Sequence, residues 1–292
     1  MIIDFHTHLA YHKIYPDTFL ASLFNLGKTD SQDSKQLSLL KLFLRDDFGE
    51  KLIKQMDDSE IQKAVLLIVD DNDYIGASKE TIEEKYVRHR NVLKKYPNRF
   101  FVFGGYHPLR RGGFELLQKG IEEYNFHGIK LYPPFNFKVN DPLMKKCYQY
   151  ANDKELTILS HTGFSIKGLK NEYAEPKDFL EIVDLYPKAN FVLAHAGYKL
   201  NDPIVKELIQ KNNVYADIAG FKTANKEDLK LIFEETYNDK ILFGSDWPIN
   251  NMMKPLSYLV DSIKSLYEES KIDNPRLLEN IFYNNALKLL SK

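Results

Sequence analysis

The sequence predicts an α/β protein: a (β/α)8 TIM barrel with a helical insertion after its first strand, closed by carboxy-terminal helices. Three observations carry this. Short apolar runs recur at intervals of roughly 23 to 37 residues, close to the period that a barrel of about 250 residues needs. Charged segments of helical periodicity lie between them. Residues able to do chemistry fall just after the apolar runs, at the strand ends where this architecture assembles its site.

The first strand is Ile2–Phe5, and it leads into His6-Thr7-His8. Residues i and i+2 of a strand share a face, so the two imidazoles can be presented toward one point. Residues 9 to about 60 form the insertion. Phe19, Leu20, Leu23 and Phe24 recur at helical spacing up to a stop at Gly27. A polar patch from Thr29 to Ser34 and the apolar-rich Leu37–Leu44 follow, and Phe48, Leu52, Ile53 and Met56 mark another amphipathic helix. An insertion of this size at a strand end is expected to serve as a lid or pocket wall.

The remaining strands are predicted at Ala64–Val69, Phe100–Tyr106, Gly128–Leu131, Leu156–Ser160, Phe191–Ala194, Val214–Ile218 and Ile241–Gly244. Helices are predicted over Thr81–Lys95, Phe114–Tyr124, Lys177–Tyr186, Pro203–Lys211 and Lys226–Tyr237, with closing helices around Pro255–Tyr267 and Pro275–Leu290. Near-continuous apolar strands separated by helices imply a parallel sheet buried on both faces. A doubly wound sheet shares this alternation, but the sequence lacks the G-x-G-x-x-G turn. No linker or tandem repeat divides the chain, so one domain over residues 1–292 is expected.

Apolar residues make up 43% of the 292, enough for a sizeable core, and no apolar run is long enough to span a bilayer. The first residues lack the basic and apolar regions of a signal peptide, because His6, His8 and His12 interrupt them. The single cysteine, Cys147, rules out a disulfide framework within the chain and fits a packed core thiol. A cytoplasmic location is the expectation. The net charge of −1 gives no reason to expect a nucleic-acid or membrane partner. A small-molecule substrate is the expected partner, and a homodimer is compatible with this composition.

Five of the eight histidines map to predicted strand ends: His6, His8, His107, His161 and His195. Asp246 stands at the end of the eighth strand, and imidazoles gathered beside a carboxylate suit a divalent metal. Lys130 ends the fourth strand, and Asp217 ends the seventh, where it is expected to fix a loop. Tyr132 and Trp247 are candidates to line a pocket. Gly163-Phe164-Ser165-Ile166-Lys167 follows a strand, but a nucleophile elbow needs glycine where Lys167 stands. Arg110 and Arg111 lie on the loop after the third strand, and a guanidinium can hold a carboxylate by two parallel hydrogen bonds. With Lys130 adding charge, they favour a small organic acid as substrate.

Five pieces together carry a resemblance: Asp4-Phe5-His6-Thr7-His8, Gly128-Ile129-Lys130-Leu131, Leu159-Ser160-His161-Thr162-Gly163, Ala194-His195-Ala196-Gly197 and Phe243-Gly244-Ser245-Asp246-Trp247-Pro248. In this order they resemble the amidohydrolase superfamily of metal-dependent barrel hydrolases, above all its amidohydrolase 2 branch, which contains aminocarboxymuconate-semialdehyde decarboxylase. The resemblance implies that His6, His8, His161 and Asp246 hold one divalent ion, with zinc the first expectation, and that His195 helps activate water. Asp246 is suited to take the proton of the attacking water as well as to hold the metal. In binuclear members a fourth-strand lysine is carboxylated and bridges two metals, which would make Lys130 a ligand and add His195 to the second site. The branch resembled here implies one metal.

The function expected is hydrolysis of a small ester, lactone or amide. Nonoxidative decarboxylation at the same site is the alternative. A TatD-like nuclease or phosphoesterase fits less well, because Lys130 stands where that family places a glutamate and no basic excess is present. A non-catalytic metal scaffold would require a coordination shell closed by protein.

Overall fold

The computed structural model describes residues 1–23, 31–221, 226–249 and 254–291. Its eight parallel strands follow one another in chain order around a TIM barrel: β1 (Ile3–Thr7), β2 (Lys63–Leu67), β3 (Phe100–Gly105), β4 (Gly128–Leu131), β5 (Thr157–His161), β6 (Asn190–Ala194), β7 (Val214–Asp217) and β8 (Ile241–Leu242). Each run predicted from the sequence overlaps its strand, with ends that differ by at most two residues. The barrel closes between β8 and β1 just beyond the last regular pair. Phe5 N donates to Phe243 O at 2.8 Å, Asp246 N to His6 O at 2.7 Å and His8 N to Trp247 O at 2.7 Å. These bonds bring the two ends of the chain's chemistry, His6-Thr7-His8 and Asp246, side by side.

Alternation along the strands sorts two apolar layers. In β2, Val65 and Leu67 pack with Ile3, Phe5, Phe103, Leu159 and Val192. Ala64 and Leu66 join the larger outer layer between strands and helices, with Val102, Ile129, Ile158, Phe191 and Leu193. This is the period of two that a pleated strand imposes. Cys147 is buried in that outer layer, and burial pushes its thiol pKa up, as a core thiol requires.

The insertion contains α1 (Asp17–Leu23), α2 (Ser31–Phe43) and α3 (Glu50–Asp58). The expected stop at Gly27, with Phe24 and the start of the Thr29–Ser34 patch, lies outside the described residues. α4 (Ile82–Lys95) begins on a capping box. Thr81 Oγ1 accepts from Glu84 N at 3.2 Å, and Glu84 Oε2 accepts from Thr81 N at 2.8 Å, so two otherwise orphaned amides are satisfied.

The further helices are α5 (Gly113–Glu123), α6 (Lys145–Asp153), α7 (Leu180–Leu185), α8 (Pro203–Ile209), α9 (Lys226–Lys230), α10 (Glu235–Asn238), α11 (Ser257–Ser270), α12 (Arg276–Glu279) and α13 (Asn285–Leu290). The predicted helix over Pro275–Leu290 is continuous but passes through a π-type stretch at Asn280–Asn284. There Asn280 donates to Asn238 Oδ1 and Asp239 Oδ1, so side-chain bonds to the neighbouring turn hold the stretch. Ala286, Leu289 and Leu290 of α13 pack onto the inner strand cluster. Among the described residues, no helix is long and apolar enough to cross a membrane.

Candidate functional site

Three strand-end histidines are held by the same device. His6 Nδ1 lies 2.9 Å from Asp217 Oδ2, His8 Nδ1 2.9 Å from Leu67 O and His195 Nδ1 2.9 Å from Ala219 O. Each partner is an acceptor, so Nδ1 carries the proton, and in the neutral ring Nε2 keeps its lone pair. His6 Nε2 and His8 Nε2 each stand 3.5 Å from Asp246 Oδ1. The i, i+2 pair predicted to share a face therefore converges on the carboxylate from the far end of the chain.

His161 completes the ring of imidazoles. Its centroid is 4.8 Å from that of His195, which is in turn 4.8 Å from His6. His161 Nε2 is buried without a hydrogen-bond partner, a costly state for a ring nitrogen unless something else occupies its lone pair. Burial, with the positive charge of Lys130 nearby, holds both His6 and His161 well below the usual imidazole pKa. Burial alone would raise the Asp246 pKa, but the ring of imidazoles from His8, His6 and His195 outweighs it and the net shift is downward, so the carboxylate stays ionised. His6 and His161 held neutral beside an ionised carboxylate are in the state a divalent ion requires of its ligands. The donor set His6, His8, Asp246 and His161 therefore fits one.

His6, His195 and Asp217 also cluster. In that group Asp217 is already engaged, since its Oδ1 accepts from His195 N at 2.8 Å and Ala219 N at 3.0 Å while Oδ2 holds His6. It fixes the loop after β7, as its position suggested, and it also orients His6. A carboxylate behind a ligating histidine sharpens ring orientation and ligand basicity.

Asp4 makes a parallel link, accepting from His6 N at 3.2 Å and Ser245 N at 2.9 Å through Oδ1. Burial pushes its pKa up to about 7. Gly244 permits the same approach, for a Cβ there would meet His6 Cβ at 2.9 Å.

Lys130, near the end of β4, is buried, and its Nζ has no hydrogen-bond partner. Burial lowers its pKa to about 8, against the opposing pull of Asp217 and Asp246.

The histidines and Asp246 open onto a cavity of about 160 Å³. Tyr15, Phe19 and Leu23 of the insertion form part of its wall, as do Tyr132, Ser165, Ile166 and Tyr198. The Tyr132 ring stacks on His161 at 4.5 Å and 24°. Tyr198 lies flat on His195 at 5.0 Å and 4°. That placement depends on four consecutive residues with positive φ: His195 at 61°, Ala196 at 44°, Gly197 at 59° and Tyr198 at 63°. Such a left-handed turn costs about 1–2 kcal/mol for each non-glycine residue and is kept where the surroundings impose it. Tyr198, Ser165, Asp4 and the His6 partner Asp217 are site elements that sequence spacing did not single out as functional.

Other expected contributors stand away from the cavity. His107 is buried, its Nε2 donating to Phe135 O at 2.9 Å and its Nδ1 accepting from Leu109 N at 3.2 Å, so it ties the β3 loop to the β4 loop. Arg110 Nε sits 2.7 and 2.8 Å from the two oxygens of Asp70. Arg111 is exposed. Trp247 is half-buried and contributes its backbone, with N donating to Ser245 Oγ at 3.1 Å and O accepting from His8 N. None of these four lines the cavity among the described residues.

A family model described as amidohydrolase matches residues 3–292. The chain belongs to the amidohydrolases. Among solved structures, this amidohydrolase is similar to a TIM-barrel protein from Bordetella bronchiseptica, at 19% identity and a TM-score of 0.71 over 99% of this chain and 98% of that one. It is also similar to a dihydroxybenzoic acid decarboxylase from Polaromonas sp. JS666 with bound manganese and the inhibitor 2-nitroresorcinol, at 16% identity and a TM-score of 0.67 over 99% and 97%. At these identities the likeness is one of fold. A curated relative from Sinorhizobium fredii, the y4mH protein, is 23% identical over an alignment of 194 residues that covers 59% of this amidohydrolase and 63% of the relative. The match thus spans less than two thirds of that relative's length.

Proposed function

We propose that this amidohydrolase is a metal-dependent hydrolase of a small ester, lactone or amide. One observation carries the proposal: the Nε2 atoms of His6 and His8 both lie 3.5 Å from Asp246 Oδ1, beside the unpartnered Nε2 of His161 and facing a cavity. His6, His8, His161 and Asp246 would hold one divalent ion, which when bound supplies a water acidic enough to act as nucleophile near neutral pH. Asp246, held ionised, takes the proton from the attacking water. His195 presents Nε2 to the cavity from a ring fixed on Ala219 O, and there it orients the water or stabilises charge developing on the substrate oxygen. Tyr132 and the insertion residues Tyr15, Phe19 and Leu23 shape the space left for the acyl group.

The expectation of a carboxylated substrate rests on Arg110 and Arg111, and their positions withdraw that support. Lys130, which does not line the cavity among the described residues, is then the cation whose charge reaches His6, His161 and Asp246. It acts on substrate through its charge, or, if carboxylated, bridges a second metal. A decarboxylase is the second reading, supported by the likeness in fold to the Polaromonas enzyme. The test is to strip the purified protein with chelator, reload it with zinc or manganese, and assay esters, lactones and amides beside aromatic acids. Metal-dependent release of alcohol, hydroxy acid or amine is expected. Release of carbon dioxide with no hydrolysis would establish the second reading instead.

A further inference from the structure

Tyr132 and Ser165 both line the cavity, and their hydroxyls are hydrogen-bonded to each other. They come from different loops, those after β4 and β5. Each is fixed independently. Tyr132 is pinned by its stack on His161, at 4.5 Å and 24°, and by a second stack on Phe135 at 4.7 Å and 29°. Ser165 is pinned through its backbone, since Ser165 N donates to Asn171 Oδ1 at 2.7 Å and Asn171 Nδ2 returns to Ile166 O at 3.0 Å. Asn171 thereby closes the short loop of residues 163–167 onto itself.

Two hydroxyls bonded to each other use one of their two O–H protons in the pair. Whichever is the donor, one O–H and the remaining lone pairs are left over by the pair, on two residues that line the cavity. Tyr15 differs, because its hydroxyl donates to Leu9 O at 2.9 Å. The neighbouring wall is apolar, with Phe19, Leu23 and Ile166. The pair is therefore a fixed polar point in an otherwise apolar part of the cavity, one aromatic ring away from His161.

Resting on the proposal that this cavity holds the substrate, we infer that the Tyr132–Ser165 hydroxyl pair is a specificity element that recognises a second oxygen of the substrate. That oxygen belongs to an alcohol or carbonyl group placed a few bonds from the reacting carbonyl. The substrate class is accordingly an oxygenated acyl compound, such as a hydroxy or keto ester, lactone or amide. A plain alkyl ester leaves the paired hydroxyls facing an apolar group, and a site built to hydrogen-bond an oxygen discriminates against an analogue without one.

The test uses binding, so it does not depend on turnover. Zinc-loaded protein is titrated calorimetrically with two-, three- and four-carbon alkyl hydroxamates, each with and without a terminal hydroxyl. In the wild type one hydroxylated member binds about threefold to tenfold tighter than its plain partner, the range of one neutral hydrogen bond. Tyr132→Phe and Ser165→Ala each retain part of the gain, because the surviving hydroxyl can still donate. The double variant loses the difference between matched partners, which is read as a ratio within each pair whatever the overall affinity, while its zinc content stays near that of wild type. A wild type that binds no hydroxamate or gains from no added hydroxyl overturns the inference, and so does a double variant that keeps the full gain. Loss of zinc in the double variant would make the pair structural and also overturn it. Failure of the ester and amide assays with these binding results intact would instead fall on the hydrolase proposal alone.

Discussion

His6 and Asp217, 211 positions apart in the chain, are joined by a 2.9 Å bond from Nδ1 to Oδ2, with both side chains essentially inaccessible to solvent. The bond fixes which nitrogen of His6 carries the proton and therefore which one faces Asp246. Asp217→Asn keeps the size but removes the charge. It should lower the affinity for zinc about 10–100-fold, the usual cost of losing such a partner, with circular dichroism unchanged. Competition with a chelator of known affinity measures this, and an unaltered zinc affinity would remove Asp217 from the site.

Metal content separates the one-metal and two-metal arrangements. Elemental analysis should give about one equivalent of zinc per chain, and His161→Ala should strongly reduce it. Lys130→Ala should leave that equivalent in place, because an uncarboxylated Lys130 is not among the donors His6, His8, His161 and Asp246. Two equivalents in the wild type, reduced by Lys130→Ala, would show Lys130 to be carboxylated and bridging.

His195 is assigned to chemistry more than to metal retention. Changing His195→Gln should reduce turnover about 10²–10⁴-fold, the range for a general acid–base group, with near-normal metal content. His195 itself has φ 61°, so Gln enters a strained backbone position, and near-normal metal content is the control that the turn is kept. A parallel collapse of metal occupancy would make His195 a ligand.

The parts of the fold and site that were legible in the sequence are those written locally. Eight apolar runs gave eight strands, because a barrel strand buried on both faces cannot be polar for long. His6, His8, His161, His195 and Asp246 were legible because each stands at or shortly after the carboxyl end of its strand. What escaped depends on pairings between distant loops. Asp217 reads as a loop residue until β1 is laid beside β7. Ser165 has no signal of its own without Tyr132 opposite. Arg110 stands on the expected rim loop, but only the folded chain shows Asp70 from the preceding loop already holding it.

His89 gives a pH test of stability away from the site. It is fully buried, with Nδ1 donating to Lys85 O at 2.7 Å, and burial lowers its pKa from 6.5 to about 3. Between these values the unfolded chain takes up a proton that the folded chain refuses, so this residue's contribution is complete above pH 6.5 and is lost as pH falls toward 3. Urea unfolding of His89→Gln should accordingly show a smaller acid loss than wild type, by about 1.4 kcal/mol per pH unit across that window. Parallel stability curves for the two proteins would contradict this.

Arg110 offers the sharpest contrast between expectation and structure. Its Nε lies 2.7 and 2.8 Å from the two oxygens of Asp70, and the Asp70 side chain is 1% exposed. Burial raises the Asp70 pKa to about 6 even with Arg110 opposing it. Removing the guanidinium leaves a buried carboxylate without its counter-charge, which is far more costly than losing an exposed pair. Because Arg110 is partly open to solvent, Arg110→Ala should cost about 2–4 kcal/mol of stability, somewhat under the full range for a buried pair. Adding Asp70→Asn should restore more than half of it, since the uncompensated charge is then gone. Arg111→Ala, on an exposed side chain, should stay within about 0.5 kcal/mol of wild type. If Arg110 instead held a substrate carboxylate, its loss would leave stability intact and reduce catalytic efficiency about tenfold to a hundredfold for acids but not for their methyl esters. Unfolding curves and matched acid–ester kinetics on the same variants distinguish the two outcomes, and a selective loss of acids without destabilisation would return Arg110 to the substrate site.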